Sequence, residues 1–301
     1  MDILIKPAPR ISGQIKLPGD KSISHRLAML GAIANGTTQI ENFATSQDCH
    51  STLSCLRLLG VEIKSREETR VSITGRGLRG LKASVQVLDA GNSGSTIRML
   101  SGILAGQNFE TRISGDESLQ RRPMHRVIIP LTQMGARIEA RDSNFPPLYI
   151  QGGVLKPIQY TLPVASAQVK SAILLAGLYG DGKTKVTEPT ATRNHTELAL
   201  RSFGGAVETD ENKISINGGQ TLQGVECSVP GDISSAAFFI AAATLLPGSE
   251  ILIERAGLNP GRRGIIDLLQ QMGASIELLE ESVQGGEPVG SLRIKSADLK
   301  V

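Results

Sequence analysis

Four stretches of the chain share one grammar, and no other feature restricts its folding so strongly. They are LPGDKSISHRLAMLGAIA from Leu17, LDAGNSGSTIRMLSGILAG from Leu88, LPVASAQVKSAILLAGL from Leu162 and VPGDISSAAFFIAAATLL from Val229. Each opens on an apolar residue, turns through Gly, Pro, Asn or Ser, and enters a helix rich in Ala, Leu and Ile. The openings recur about every 70 residues, room enough for a whole supersecondary unit. The units also close alike, at LRLLGVEI, LTQMGARIEA, LRSFGGAVET and LQQMGASIEL, where Gly60, Gly135, Gly204 and Gly273 follow an amphipathic helix and precede an alternating strand. A glycine so placed is expected to stop its helix at positive φ. With β-rich stretches such as TTQIENF, ETRISG, TKVTEP and SEILIERAG between the helices, each unit reads strand, helix, strand, helix, strand, strand.

The first helix of a unit is apolar nearly all round, as from Arg26 to Ala34 or Ala236 to Leu246, whereas the second, as from Asp48 to Leu59, keeps a polar face. A helix apolar on every side belongs inside a domain. The expectation is an α/β protein in which three units pack their first helices into one core, with sheets outside. A chain of 301 residues, 40% hydrophobic, has enough material for one large core or two smaller ones.

Charge and aromatic content exclude several roles. Lys and Arg number 32 against 29 for Asp and Glu, a balance of only +3, too little for a polyanion-binding surface. Aromatic residues make up 3% and Trp is absent, so the stacking platforms of single-strand nucleic-acid binders have little material. Cys49, Cys55 and Cys227 form no CxxC pair and no His-Cys cluster, which points to a reduced, cytoplasmic protein without a disulfide framework. MDILIKPAPR has no apolar core for export, and no apolar run approaches the roughly 18 residues of a membrane span. His25, His50, His125 and His195 are scattered, so no metal and no organic cofactor is expected.

The turns differ in where basic residues fall. LPGDKSISHR puts Lys21 and Ser22 at a helix start and Arg26 one turn on; exposed amides and the positive helix end favour an anion there. Basic residues at that end are unfavourable unless an anion offsets them. In DAGNSGSTIR, Gly91 and Gly94 let a ligand approach the backbone, although a tight turn at positive φ accounts for them equally well. GDESLQRRPMHR adds Arg121 and Arg122 before Pro123, a residue that directs Arg122 into an extended conformation; a solvated surface pair is the other reading. VASAQVKSA sets Ser166 and Gln168 at a helix start with Lys170 beside them, and EPTATRNH later supplies Arg193. Small polar side chains with a cation suit a hydroxylated anion, while plain N-capping remains the alternative. PGDISS has Asp232 and no cation at the equivalent places, so that turn is read as structural.

LPGDKSISHR, DAGNSGSTIR, GDESLQRRPM and VASAQVKSAILLAGL, in this order, are similar to the signature segments of EPSP synthases, the 3-phosphoshikimate 1-carboxyvinyltransferases. The resemblance runs from Leu17 to the end of the chain. It implies transfer of the carboxyvinyl group of phosphoenolpyruvate to the 5-hydroxyl of shikimate 3-phosphate in the shikimate pathway, toward chorismate and the aromatic amino acids. The implied fold is the enolpyruvyl transferase-like inside-out α/β barrel, with two domains of three units each. On that plan residues 13–225 form a first domain of three units, and residues 1–12 and 226–301 part of a second with one unit of three. The chain would correspond to the N-terminal two-thirds of such an enzyme, which is monomeric when complete.

The resemblance also implies site residues. Lys21, Ser22, Arg26, Ser166, Ala167, Gln168 and Arg193 would hold shikimate 3-phosphate. Lys21, Gly94, Arg122 and Gln168 would meet phosphoenolpyruvate, supported by Asn92 and Arg98. Many family members carry a second serine where this chain has Ala167, and the pairing of Ala167 with Arg193 resembles a subgroup that includes glyphosate-tolerant bacterial enzymes. Gly94, where an alanine is associated with tolerance, argues for a pocket open to that inhibitor. The family keeps its proton-transfer groups in its fifth and sixth units, so no catalytic residue is assigned here. The chain alone is expected to bind substrate without turnover and to seek a missing C-terminal segment. Two other readings are a UDP-N-acetylglucosamine enolpyruvyl transferase, disfavoured by Ser22 where that family carries Asn, and a non-catalytic anion-binding module.

Overall fold

Each of the four closing glycines ends its helix in the left-handed region, Gly60 at φ 82°, Gly135 at 109°, Gly204 at 82° and Gly273 at 94°. These angles are open to glycine without steric cost. In the computed structural model, which describes residues 7–300, they punctuate four copies of one plan. The first runs β1 (Ser12–Lys16), α1 (Lys21–Ile33), β2 (Thr37–Glu41), α2 (Gln47–Leu58), β3 (Glu62–Glu67) and β4 (Arg70–Thr74). The second has β5 (Leu88–Asp89), α3 (Gly94–Ala105), β6 (Glu110–Ser114), the short α4 (Glu117–Gln120), α5 (His125–Gln133), β7 (Arg137–Arg141) and β8 (Phe145–Gln151). The third has β9 (Gln159–Thr161), α6 (Ala167–Gly177), β10 (Lys183–Thr187), α7 (His195–Ser202), β11 (Val207–Asp210) and β12 (Lys213–Asn217). The fourth has β13 (Glu226–Ser228), α8 (Ile233–Leu245), β14 (Glu250–Gly257), α9 (Gly264–Gln271), β15 (Ser275–Gln284) and β16 (Glu287–Lys295).

All four sheets have the same order, with a parallel edge pair and then two antiparallel partners: β5-β6-β8-β7, β9-β10-β12-β11, β13-β2-β4-β3 and β1-β14-β16-β15. In the second and third repeats the leading strand stays with its own repeat. The first and fourth exchange theirs: β1 leads into α1 but pairs with β14, from Ser12↔Glu250 to Lys16↔Glu254, and β13 leads into α8 but pairs with β2, from Glu226↔Gln39 to Ser228↔Glu41. The exchange moves the division of the chain. One compact unit is Lys21–Ser228, and the other is the described part of Met1–Asp20 with Val229–Val301. The sequence put the first boundary at residue 13, so β1 changes sides, because its hydrogen-bonding partner lies in the fourth repeat.

Within Lys21–Ser228 the strands alternate as a one-sided sheet requires. Thr38 and Ile40 of β2, Thr111 and Ile113 of β6, and Thr184 and Val186 of β10 point inward. The first helices are buried against them, α1 from Ile23 to Ile33, α3 at all but two positions, and α6 from Val169 to Gly177. Helices α3 and α6 cross so closely that a Cβ at Gly102 would lie 2.2 Å from the Ala172 carbonyl oxygen. Helix α1 packs on α2, α7 and α3.

In the other unit, Leu17, Ile233, Ala236, Ile240, Ile251, Ile253, Leu292 and Ile294 form the core between α8 and its sheet. The opposite side of α8 is exposed, with Phe238 80% and Leu245 66% accessible. The turns Pro18–Asp20 and Pro230–Asp232 hydrogen-bond reciprocally, Asp20 N to Pro230 O at 2.8 Å and Asp232 N to Pro18 O at 2.9 Å. No helix among the described residues is long and apolar enough to cross a membrane.

Candidate anion site at three helix N-termini

The Lys21–Ser228 unit draws the starts of α1, α3 and α6 into one polar network, built by small residues one turn below each start. Ser93 caps α3 by accepting from Thr96 N at 3.1 Å, and Ser166 caps α6 by accepting from Val169 N at 3.4 Å. Between α1 and α3 runs a hydroxyl chain, from His25 Nδ1 to Thr52 at 2.7 Å, Thr52 to Thr96 at 2.7 Å, and Thr96 to Ser93 at 2.7 Å. Between α1 and α6 lies Arg26. Its Nη1 donates to Ser22 O at 2.8 Å, its Nε to Thr196 Oγ1 at 2.7 Å and its Nη2 to Ser171 Oγ at 2.9 Å. Ser171 in turn contacts the Ala167 carbonyl at 2.6 Å. Buried hydroxyls spent in this way hold the helix starts in register.

The exposed rim carries the charge. Lys21, first in α1, pairs with Asp48 at 2.9 Å, and Arg193 Nη1 lies 3.3 Å from Ser22 Oγ. Gln168 joins α6 to α3 by donating to Ser95 Oγ at 3.0 Å and accepting from Arg98 Nη1 at 2.8 Å. Arg122 donates to Asn92 Oδ1 at 2.6 Å, and Asn92 donates to Asp116 at 2.8 Å. That hydrogen bond from Asn92, followed by one from Leu119 N, holds the Asp116 carboxyl below its usual range. The guanidiniums of Arg98 and Arg122 converge over Gly94, whose added Cβ would lie 2.7 Å from Arg98 Nη1 and 3.5 Å from Arg122 Nη1. Burial, then the charges of Arg126 and Arg122, push the Arg98 guanidinium down to about 10. Like charges crowded at a helix start form a place that an anion relieves.

All the sequence-assigned residues lie in this unit, and the hydrogen bonds run through them: Ser22 with Arg26 and Arg193, Gln168 with Arg98, Arg98 and Arg122 at Gly94, and Arg122 with Asn92. Three details differ from the sequence reading. Lys170, set there beside Ser166 and Gln168 as a cation for the anion, is 1% exposed and bound to Glu188 at 2.8 Å and Glu197 at 2.7 Å, so its charge is already used inside the protein. Lys21 does have an offsetting anion in the protein itself, Asp48. The Arg121–Arg122 pair splits: Arg121 stays in solvent near Glu117, and Arg122 turns to Asn92. Of the two glycines, Gly91 is the one at positive φ, 55°.

The sequence reading missed Asp48, Ser171, Thr196, Glu188 and Glu197. The carboxylate that opens the EPTATRNH segment, another just after it, and a lysine inside an apolar helix were the available signals for the last two.

Comparison with known proteins gives the family. Residues 5–301 match the family described as EPSP synthase (3-phosphoshikimate 1-carboxyvinyltransferase). The chain belongs to the EPSP synthase family. Over 300 residues it is 55% identical to the 3-phosphoshikimate 1-carboxyvinyltransferase of Solibacter usitatus, covering all of this chain and 70% of that protein. Over 301 residues it is 50% identical to the enzyme of the same name from Desulforamulus reducens, again across 70% of its length. The solved EPSP synthase of Acinetobacter baumannii superposes with a TM-score of 0.91 at 49% identity, over 95% of this chain and 65% of that one. The family fold is therefore the one described above. The chain spans about two-thirds of the solved relative's length.

Proposed function

We propose that this chain carries the shikimate 3-phosphate site, and part of the phosphoenolpyruvate site, of a 3-phosphoshikimate 1-carboxyvinyltransferase. On this reading Lys21, Ser22, Arg26, Ser166, Ala167, Gln168 and Arg193 surround shikimate 3-phosphate. Lys21, Gly94, Arg122 and Gln168 meet phosphoenolpyruvate, with Asn92 and Arg98 in support. The observation that carries the reading is the hydrogen-bonded joining of the α1, α3 and α6 starts, with the cations Lys21, Arg98, Arg122 and Arg193 on their rim. Helix starts and guanidiniums suit phosphate and carboxylate groups, and the hydroxyl and amide side chains between them suit a hydroxylated ring.

The reaction is addition followed by elimination. The 5-hydroxyl attacks C2 of phosphoenolpyruvate as C3 gains a proton, and the tetrahedral adduct then expels phosphate as a methyl proton leaves. Both ligands are multiply anionic, so cations fixed beforehand offset their mutual repulsion and the charge that moves between them. They also hold the hydroxyl against its target carbon. The carboxylates around the network are already engaged, Asp48 with Lys21, Asp116 with Asn92, and Glu188 and Glu197 with Lys170. With none of them placed to move protons, the 301-residue polypeptide is proposed to bind without turning over. Cys49, Cys55 and Cys227 form no disulfide among the described residues, which supports a cytoplasmic setting.

Calorimetric titration tests the reading. Saturable binding of shikimate 3-phosphate is expected, weakened in Lys21→Ala and Arg193→Ala, with no binding of UDP-N-acetylglucosamine. Equal affinity in the variants would refute the assignment, and phosphate release from the two substrates would refute the claim of binding alone.

A further inference from the structure

We infer that Lys170, Glu188 and Glu197 form a buried ionic clasp that positions Arg193, with Thr192 carrying the constraint to that residue. The inference rests on the reading above that Arg193 faces the anion. Glu188 directly follows β10 and Glu197 lies in the first turn of α7, so the two carboxylates bracket the segment that bears Arg193. A single ammonium holds both, at 2.8 Å and 2.7 Å, and all three side chains are at most 3% exposed. The other oxygen of Glu188 accepts the Thr192 hydroxyl. Its main chain is fixed as well, with N donating to Asn212 O at 2.9 Å and its carbonyl accepting from Asn212 Nδ2 at 2.6 Å. Beyond Thr192 the exposed Arg193 lies against Ser22, and Thr196, next to Glu197, accepts from Arg26.

Stability alone does not account for this cluster. A buried charge pair is often no better than apolar side chains of the same volume. Here two carboxylates share one ammonium, and Glu197 Oε2 has no hydrogen-bond partner among the described residues. What the arrangement supplies is a loop closed at its base. Arg193 then need not be ordered at the moment the ligand arrives, which removes a cost that flexible side chains otherwise impose on binding.

Thr192→Val keeps the side chain's shape and deletes the hydroxyl. It is expected to weaken shikimate 3-phosphate binding by about 5- to 20-fold, as lost preorganisation would, and to have no further effect in an Arg193→Ala background. Thr192→Ser should restore wild-type affinity, and Glu188→Gln should behave like Thr192→Val. Amide hydrogen exchange across residues 189–194 should accelerate in both weakened variants. An equal loss in the two backgrounds, or unchanged exchange with unchanged affinity in Thr192→Val, overturns the clasp. If Arg193→Ala itself leaves affinity untouched while Thr192→Val still speeds exchange, the substrate assignment of Arg193 fails and the clasp stands.

Discussion

Gly94→Ala should separate the two halves of the proposed site. The methyl group would be built 2.7 Å from Arg98 Nη1 and 3.5 Å from Arg122 Nη1, whereas non-bonded atoms settle at about 3.5 Å or more. The tip of Arg98 must therefore retreat by roughly 0.7–0.8 Å, which stretches its 2.8 Å hydrogen bond to Gln168. A hydrogen bond to a charged group contributes about 1.5–3 kcal/mol. Because the tip of an arginine can move and find water, we expect a net loss of about 1–2 kcal/mol in phosphoenolpyruvate binding, roughly 5- to 30-fold. Shikimate 3-phosphate should lose less, since of its proposed contacts only Gln168 is disturbed, while Lys21, Ser22 and Arg193 are untouched. Folding should respond in the opposite sense. Gly94 is the first residue of α3 and lies outside the positive-φ set, so alanine stabilises the helix by about 0.5–1 kcal/mol. The assay is titration with phosphoenolpyruvate at saturating shikimate 3-phosphate, alongside thermal unfolding. Equal weakening of both ligands, or an undiminished penalty in an Arg98→Gln background, would refute the reasoning.

Arg98→Gln should stabilise the ligand-free protein, because burial and the neighbouring Arg126 and Arg122 disfavour the charge at this position. After allowing for partial exposure the gain is about 1 kcal/mol, or roughly 2–4 °C in Tm. A base whose folded value is lowered binds its proton more tightly when unfolded, so the wild type should close the gap as pH rises through about 10, as scanning fluorimetry across pH 8–11 would check. Asp48→Asn removes a carboxylate that competes with phosphate for Lys21, and shikimate 3-phosphate should bind about 2- to 5-fold more tightly at low salt; weaker binding would mean that Asp48 positions Lys21. Burial, with Asp89 adding to it, pushes the Cys55 thiol up to about 12, and burial does the same to Cys227, so both should resist thiol reagents at pH 8 until the protein unfolds. Phe238→Ser, at an 80% exposed position on α8, should reduce self-association in sedimentation experiments.

The sequence made the repeat plan legible because its marks are local. A glycine after an amphipathic helix needs only its own backbone to be recognised, and all four such glycines adopt the positive φ expected of them. The starts of α1, α3 and α6, at Lys21, Gly94 and Ala167, were legible for the same reason. What the sequence did not reveal depends on distant partners. Nothing in SGQIK says that this strand will pair with β14, some 240 residues later, instead of staying with its own repeat. The carboxylate partners of Lys21 and Lys170 failed to show for a similar reason. Both were read as cations near helix starts, but Asp48 stands 27 residues from Lys21 and Glu188 stands 18 from Lys170. Whether a lysine offers its charge to a ligand is decided by burial and by the carboxylates that the fold brings to it.

The fourth repeat serves as an internal control for what makes a helix start a binding site. Its turn has the same build as the first, yet Asp232 caps α8 by accepting from Ser234 N at 2.9 Å, and the nearby cation, Arg262, is drawn to Asp232 at 3.2 Å and Asp20 at 3.6 Å. A carboxylate thus already occupies the positive end of that helix, and the guanidinium beside it is neutralised at low exposure. At α3 and α6 the capping atoms are the neutral hydroxyls of Ser93 and Ser166, and Arg98 and Arg122 stand at the rim, where Arg98 is crowded by like charge. The repeat supplies the same backbone amides each time. We propose that α3 and α6 differ from α8 because none of their caps is a carboxylate, which leaves those helix ends open to an outside anion. Replacing Asp232 with Ser would therefore take the carboxylate away from the α8 start while leaving Arg262 beside it, in contact with Asp20 and Ser234, and inorganic phosphate should then raise the unfolding temperature of the variant more than that of the wild type. An identical phosphate response in the two proteins would show that the helix end and its cation do not by themselves suffice.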